Sequence, residues 1–197
     1  MFSDSVCLNC GQTGLNHGSP IPYLHEKCIK QQLLFRIEGI PCSKQSVRST
    51  VATDRAGNAT FSLVPDTHNP GKLKKRHKIT SFQDKETMNK ELWLKWNFQA
   101  QKIPGMTPLS GKLVINYLVY VFPLPKSLDK LKPEIASGRI IFKPTKPDLP
   151  DNLNKAVFDA MKGIIIEDDS KIIAIRNTAK IYGLQPATHL HIIELRD

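Results

Sequence analysis

The chain has 197 residues, 40% of them hydrophobic, enough for one medium-sized core or for one domain with a small appendage. No run approaches the roughly 18 apolar residues that a membrane span needs. The opening Met1-Phe2-Ser3-Asp4-Ser5-Val6-Cys7 lacks the basic and apolar regions of a secretory signal, so a cytoplasmic location with no membrane partner is expected. Lysine and arginine number 28 against 18 acids, a net of +10, and residues 72–146 hold 16 basic and 5 acidic residues of that balance. A surplus placed in this way suits a polyanionic partner, although lysine-rich surfaces also serve solubility alone.

Taken in order, the first pattern is Cys7-Leu8-Asn9-Cys10, followed after fourteen intervening residues by His25-Glu26-Lys27-Cys28. Two chelating pairs, each with two residues between its ligands, fit a tetrahedral structural Zn2+ bound by Cys7, Cys10, His25 and Cys28. His17 could replace His25, and a Cys7–Cys10 redox pair is the other reading. A zinc knuckle over residues 1–32 is therefore expected ahead of a main domain at 33–197. Cys42 stands apart and reads as a small buried residue.

Residues 33–39 alternate as a first strand, with Phe35 and Ile37 on one face and Arg36 and Glu38 on the other. Residues 59–64 read as a second strand after an Asp54-Arg55-Ala56-Gly57-Asn58 turn. Residues 68–78 then read as a mobile loop. It carries five cations in seven residues, Lys72, Lys74, Lys75, Arg76 and Lys78, suited to contacting a phosphate backbone.

A helix is expected over residues 83–101, with Leu92, Trp93, Trp96 and Ala100 as its apolar stripe. Residues 111–123 are apolar on both alternating rows, the pattern of a central strand. A long loop to residue 146 follows, broken by a short Ile140-Ile141-Phe142. Near the end, residues 171–181 alternate with Ile173, Ile175, Ala179 and Ile181 facing in and Arg176, Thr178 and Lys180 facing out. Residues 190–195 form the last strand, with His189 and His191 half-buried on it.

Between these strands lies the stretch with most chemistry: Lys146-Pro147-Asp148-Leu149-Pro150-Asp151-Asn152-Leu153-Asn154-Lys155, leading to Glu167-Asp168-Asp169-Ser170. The prolines exclude helix through the first acids. Asp151 or Asn152 is placed to cap the helix that follows, and Gly163 to end it. Leu153, Ala156, Val157, Ala160, Met161 and Ile164 give that helix an apolar face, while Asp151, Lys155 and Asp159 share another edge. If the next strand pairs beside the one ending near Asp148, the carboxylates converge at one end of a sheet. Converging carboxylates need a cation, and hard oxygen donors suit Mg2+ or Mn2+. Singly, acids before a helix are usually only caps, and Asp-Asp-Ser before a strand is usually only a turn.

In sequence order these residues resemble the signature of the RusA-type Holliday-junction endodeoxyribonucleases, most clearly over residues 138–182. The resemblance implies metal binding by Asp148, Asp151 and Asp169, with Asp168 beside them and Lys155 assisting. It also implies a homodimer acting on four-way junctions and products with a 5′-phosphate and a 3′-hydroxyl. The segment after the first strand resembles the family's basic loop, which makes Lys44 and Arg48 candidate phosphate contacts alongside Lys146. One departure is visible: Leu149-Pro150 puts two residues between the first aspartates, where the family has one.

The expected fold is therefore α/β, in the α+β sense: a mixed four- to five-stranded sheet with two main helices, RusA-like, plus the zinc knuckle. The expected activity is metal-dependent hydrolysis of branched DNA in recombination and repair. The alternative is a zinc-containing, non-catalytic DNA-binding protein whose acidic site has degenerated.

Overall fold

The computed structural model describes residues 4–6, 13–15, 26–43, 48–56, 58–66, 72–82 and 85–196. The chain forms two compact units, one of residues 1–44 with 90–197 and one of residues 45–89. Cys7, Cys10 and His25 of the expected zinc knuckle lie outside the described residues, as does Lys44. Cys28 is buried. It immediately precedes a strand that starts at Ile29, ahead of the expected boundary after residue 32.

In chain order the strands are β1 (Asp4–Val6), β2 (Thr13–Leu15), β3 (Ile29–Glu38), β4 (Arg48–Val51), β5 (Phe61–Pro65), β6 (Leu73–His77) and β7 (Ile79–Phe82). Helix α1 (Lys85–Gln101) follows, then β8 (Leu113–Pro123), the short α2 (Lys132–Ala136) and β9 (Ile141–Phe142). Helix α3 (Lys155–Met161), β10 (Ile172–Gly183) and β11 (Ala187–Leu195) complete the chain. The long loop expected before residue 146 thus contains a helical turn and α2.

The larger unit is built on a five-stranded mixed sheet of order β3-β11-β8-β10-β9. Only β8 and β10 run parallel, and the other neighbours are antiparallel. Leu33, Phe35 and Ile37 of β3 pack with Leu118, Tyr120, Leu190 and Ile192 of the sheet. On them lie Leu94 and Phe98 of α1 and Val157, Ala160 and Met161 of α3. Burying apolar area at about 25 cal/mol per Å² is what fixes both helices on this face.

Two expectations fail here. The stripe of α1 that meets the sheet is Leu94 and Phe98, whereas Leu92 and Trp96 are exposed. The in–out sense of β10 is reversed over part of its length: Ile173 and Ile175 are exposed, and Thr178 and Lys180 turn toward the segment that enters α3. The register against β8 also shifts between Ile172 and Ala174, at the very start of the strand.

In the smaller unit β4 pairs with β7 and β5 with β6, both antiparallel. Asp54 Oδ1 accepts from the N–H groups of Ala56 and Asn58, closing the turn before β5. At Lys78 three strands meet. Its N–H donates to Thr60 O at 2.9 Å and its carbonyl accepts from Ala52 N–H at 2.7 Å. Residues 73–77, expected as loop, are thus strand, because Phe61, Ser62, Leu63, Val64 and Pro65 supply a partner along their whole length.

Candidate functional site

Two lysines lay down the segment that enters the acidic motif. Lys180 Nζ, on β10, donates to Thr145 O and Pro147 O, both at 2.8 Å. Lys143 Nζ donates to Lys146 O at 2.6 Å. The backbone carrying Lys146 and Pro147 is therefore pinned along the sheet, and Asp148 follows in extended conformation.

Residues Leu149–Asn154 then form one wide π-helical turn that runs directly into α3. Leu153 N–H reaches back to Asp148 O at 3.2 Å, a span of five residues. Leu149 and Pro150, the two residues between the aspartates, lie in this widened turn. Pro150 is tolerated because the first helical N–H groups have no partner in any case. Asp148, rather than Asp151 or Asn152, stands at the cap position, and its side chain makes no capping hydrogen bond. Gly163, with φ of +73°, follows the end of α3 as expected.

Leu153 and Asn154 anchor the wide turn. Leu153 is fully buried, and the buried Asn154 Oδ1 accepts from Tyr120 O–H at 3.0 Å and from Thr178 O–H at 3.5 Å. Burial pushes the Tyr120 hydroxyl well above its ordinary pKa, so it stays a donor. With that side inward, Asp148, Asp151 and Lys155 all face solvent.

The second acidic pair follows α3. Asp168 Oδ1 accepts from Ser170 N–H at 2.9 Å. Lys162, the residue just past the helix, makes an ion pair with Asp168 and stands 3.7 Å from Asp169 Oδ1. The hydrogen bond from Lys162, then those from Ser170, hold the Asp168 carboxyl far below the usual carboxylate range. The same hydrogen bond raises the Lys162 ammonium above its ordinary pKa.

The two pairs do not meet within this chain. Asp148 and Asp151 sit at the start of a helical run about 20 Å long, and Asp168 and Asp169 lie against the residue that ends it. The topology is the reason. β9 runs antiparallel to β10 and pairs near its far end, so Asp148 leaves the sheet beside Lys180 while Asp169 precedes the first residue of β10. Among the described residues no three histidines, cysteines or carboxylates gather closely enough to hold a metal ion. The donor chemistry still suits a hard divalent cation. All four groups are carboxylates, and a cation, the Lys162 ammonium, already bridges the second pair.

The cations expected to contact a phosphate backbone occupy an ordered ribbon. Lys72, Lys74, Lys75, Arg76 and Lys78 are exposed on and beside β6, and Lys74 lies 3.7 Å from Asp66. Cross-strand pairing puts Phe61, Leu63 and Pro65 on the same ribbon face as His77, Lys75 and Leu73, with the Phe61 and His77 rings 4.4 Å apart. Arg48 lies on β4 opposite Phe82. Lys146 is exposed in the pinned segment.

Lys143, Asn154, Lys162 and Lys180 do not stand out in the sequence. Only Lys162 has a readable signal there, a lysine beside the glycine that ends a helix. The other three depend on strand pairing, which sequence does not display.

Residues 45–193 match the model for endodeoxyribonuclease RusA. The chain is also 34% identical over 91 residues to the uncharacterized protein YqaN of Bacillus subtilis (strain 168). That match takes in 45% of this chain and 62% of the relative, so the chain spans less than two thirds of the relative's length. No solved structure matches the chain. The family model covers the smaller unit, residues 90–193 of the larger one and the whole acidic motif, and on that extent the chain belongs to the RusA endodeoxyribonuclease family.

Proposed function

We propose that the protein is a divalent-metal-dependent endodeoxyribonuclease that cuts branched DNA, four-way junctions above all, as a homodimer in recombination and repair. The observation that carries this reading is the run of Asp148, Asp151 and Lys155 on the solvent side of one helix start, in a chain of an endodeoxyribonuclease family.

Asp148, Asp151 and Asp169, with Asp168 beside them, are the residues to hold Mg2+ or Mn2+. Such an ion lowers the pKa of a bound water and neutralises charge growing on phosphate oxygens. The chain's own groups do the rest. Lys155, the first residue of α3, orients the scissile phosphate. The cations of the β5–β6 ribbon, with Lys146, hold the backbone on either side without reading sequence. Lys143 and Lys180 keep Asp148 aimed by pinning the backbone before it.

The separation of the acidic pairs along α3 gives the homodimer a catalytic reason. A two-fold axis presents the same surface twice. It can set the Asp148–Asp151 end of one subunit against the Asp169 end of the other, so each active site draws on two chains.

The test is incubation of purified protein with a fixed four-way junction and Mg2+ or Mn2+, with and without chelator. Metal-dependent paired nicking is expected, with Asp169→Asn keeping junction binding and abolishing cutting. Binding without nicking under any divalent ion would instead favour a non-catalytic DNA-binding protein. The observation that keeps that second reading in play is that, among the described residues, one chain assembles no closed ligand set.

A further inference from the structure

Beside Asp169, where β3, β8 and β10 begin, a cavity of about 320 Å³ opens at the edge of the five-stranded sheet. Lys30, Lys112 and Lys171 line it, together with Ser110, Ser170 and the backbone of Gly111. Nothing in the acidic motif uses these three lysines. We propose that this cavity is a phosphate subsite that holds a DNA backbone phosphodiester neighbouring the one being cut, an assignment that rests on the nuclease reading above.

The charge balance of the cavity supports an anion. Glu194 is the carboxylate beneath it, and that group is saturated: it accepts from Gln31 Nε2 at 2.7 Å, Gly111 N–H at 2.9 Å and Lys30 Nζ at 3.3 Å. Lys30 is therefore committed to Glu194. Among the described residues, neither Lys112 nor Lys171 is in an ion pair. Two ammonium groups outside any ion pair and the Ser110 hydroxyl around a small open space match the acceptors of a phosphodiester. The volume lies at the lower end for ligand sites, about right for a phosphate with part of its sugar.

Position ties the cavity to the chemistry. Ser170 lines it and donates its N–H to Asp168, so its wall and the acidic pair are one turn of backbone. The negative charge at that rim is already offset by Lys162. A phosphate can therefore sit in the cavity while the next one lies at the acids, and the strand is held at a fixed offset from the cut.

The experiment uses Lys112→Gln, Lys171→Gln and the double variant of the full chain, with Lys112→Arg and Lys171→Arg as charge-preserving controls. Binding to a fixed junction is measured over a range of salt concentrations without divalent metal, and KM and kcat are measured with it. Each phosphate deprived of its lysine is expected to flatten the plot of log affinity against log salt by about 0.9. KM should rise several-fold with kcat held, and the arginine variants should behave like the parent. Glutamine variants that keep the parent's salt slope and KM would overturn the subsite, as would a parent that binds no junction. A parent that binds but never cuts would instead sink the nuclease reading, while the salt slopes still decide the subsite.

Discussion

Lys162 Nζ stands 3.7 Å from Asp169 Oδ1 while also pairing with Asp168, so one ammonium serves both members of the acidic pair. A divalent ion bound at Asp169 must compete with it. Lys162→Gln should therefore lower the Mn2+ concentration needed for half-maximal cutting several-fold, read by titrating the ion at saturating junction. The pKa of Asp168 should also rise toward the usual carboxylate range, since the first cause of its depression is the Lys162 hydrogen bond, with the Ser170 bonds still lowering it. An unchanged ion requirement would place Lys162 outside the metal's reach.

Mixing inactive subunits tests whether each active site spans two chains. Asp151→Asn and Asp169→Asn should each be inactive alone. In a mixed dimer one site collects both substitutions and the other collects none, so single-strand nicking should return to roughly one quarter of the parent rate at equal mixing, because half the dimers are mixed and each has one intact site. No recovery after verified subunit exchange would mean that all the acids act within one chain.

The β5–β6 ribbon should behave as a sequence-blind clamp. Replacing Lys74, Lys75 and Arg76 by glutamine should weaken binding to every junction sequence alike and reduce the salt slope by about 0.9 for each phosphate no longer neutralised. Tm should move little, because these side chains are exposed. Fluorescence anisotropy across salt concentrations, on two junctions of unrelated sequence, checks both statements.

Stability should fall as the solution is acidified through the histidine range. Burial lowers the pKa of His191, and burial followed by the charge of Arg36 lowers that of His189. His191 is held on both ring nitrogens, with Asn116 Nδ2 3.0 Å from Nδ1 and Gln32 Oε1 3.2 Å from Nε2, an arrangement that suits the neutral ring. A histidine with a depressed folded pKa is neutral and harmless above the unfolded value of about 6.5. Below that value the unfolded chain takes up the proton first, and stability is lost down to the folded pKa. Tm should thus drop between pH 7.5 and 5.5, and His189→Gln with His191→Gln should remove most of that dependence.

How much of the structure is legible in the sequence varies from element to element. β8 is legible because both of its rows are apolar, a property only a covered strand tolerates. The end of α3 is legible in Gly163. α1 misleads because Trp96 is large and apolar yet lies outside the packing made by Leu94 and Phe98. β10 misleads because Ile173 and Ile175 are apolar and alternate like core residues yet are exposed. Each acid of the candidate site is legible, but the direction of β9 decides which end of the sheet Asp148 reaches, and a two-residue strand carries almost no periodicity from which to read direction.

Lys78 is where the smaller unit gathers its strands: its amide goes to Thr60 and its carbonyl takes the amide of Ala52. The chain from Leu73 to Phe82 changes partner there, from β5 to β4. The cationic finger is consequently cantilevered from one joint of Lys78, Thr60 and Ala52, where Thr60 N–H also donates to Ala52 O at 2.7 Å. Residues added or removed in register beyond that joint would lengthen or shorten its reach and shift where the charges land, while leaving the β4–β7 root as it is.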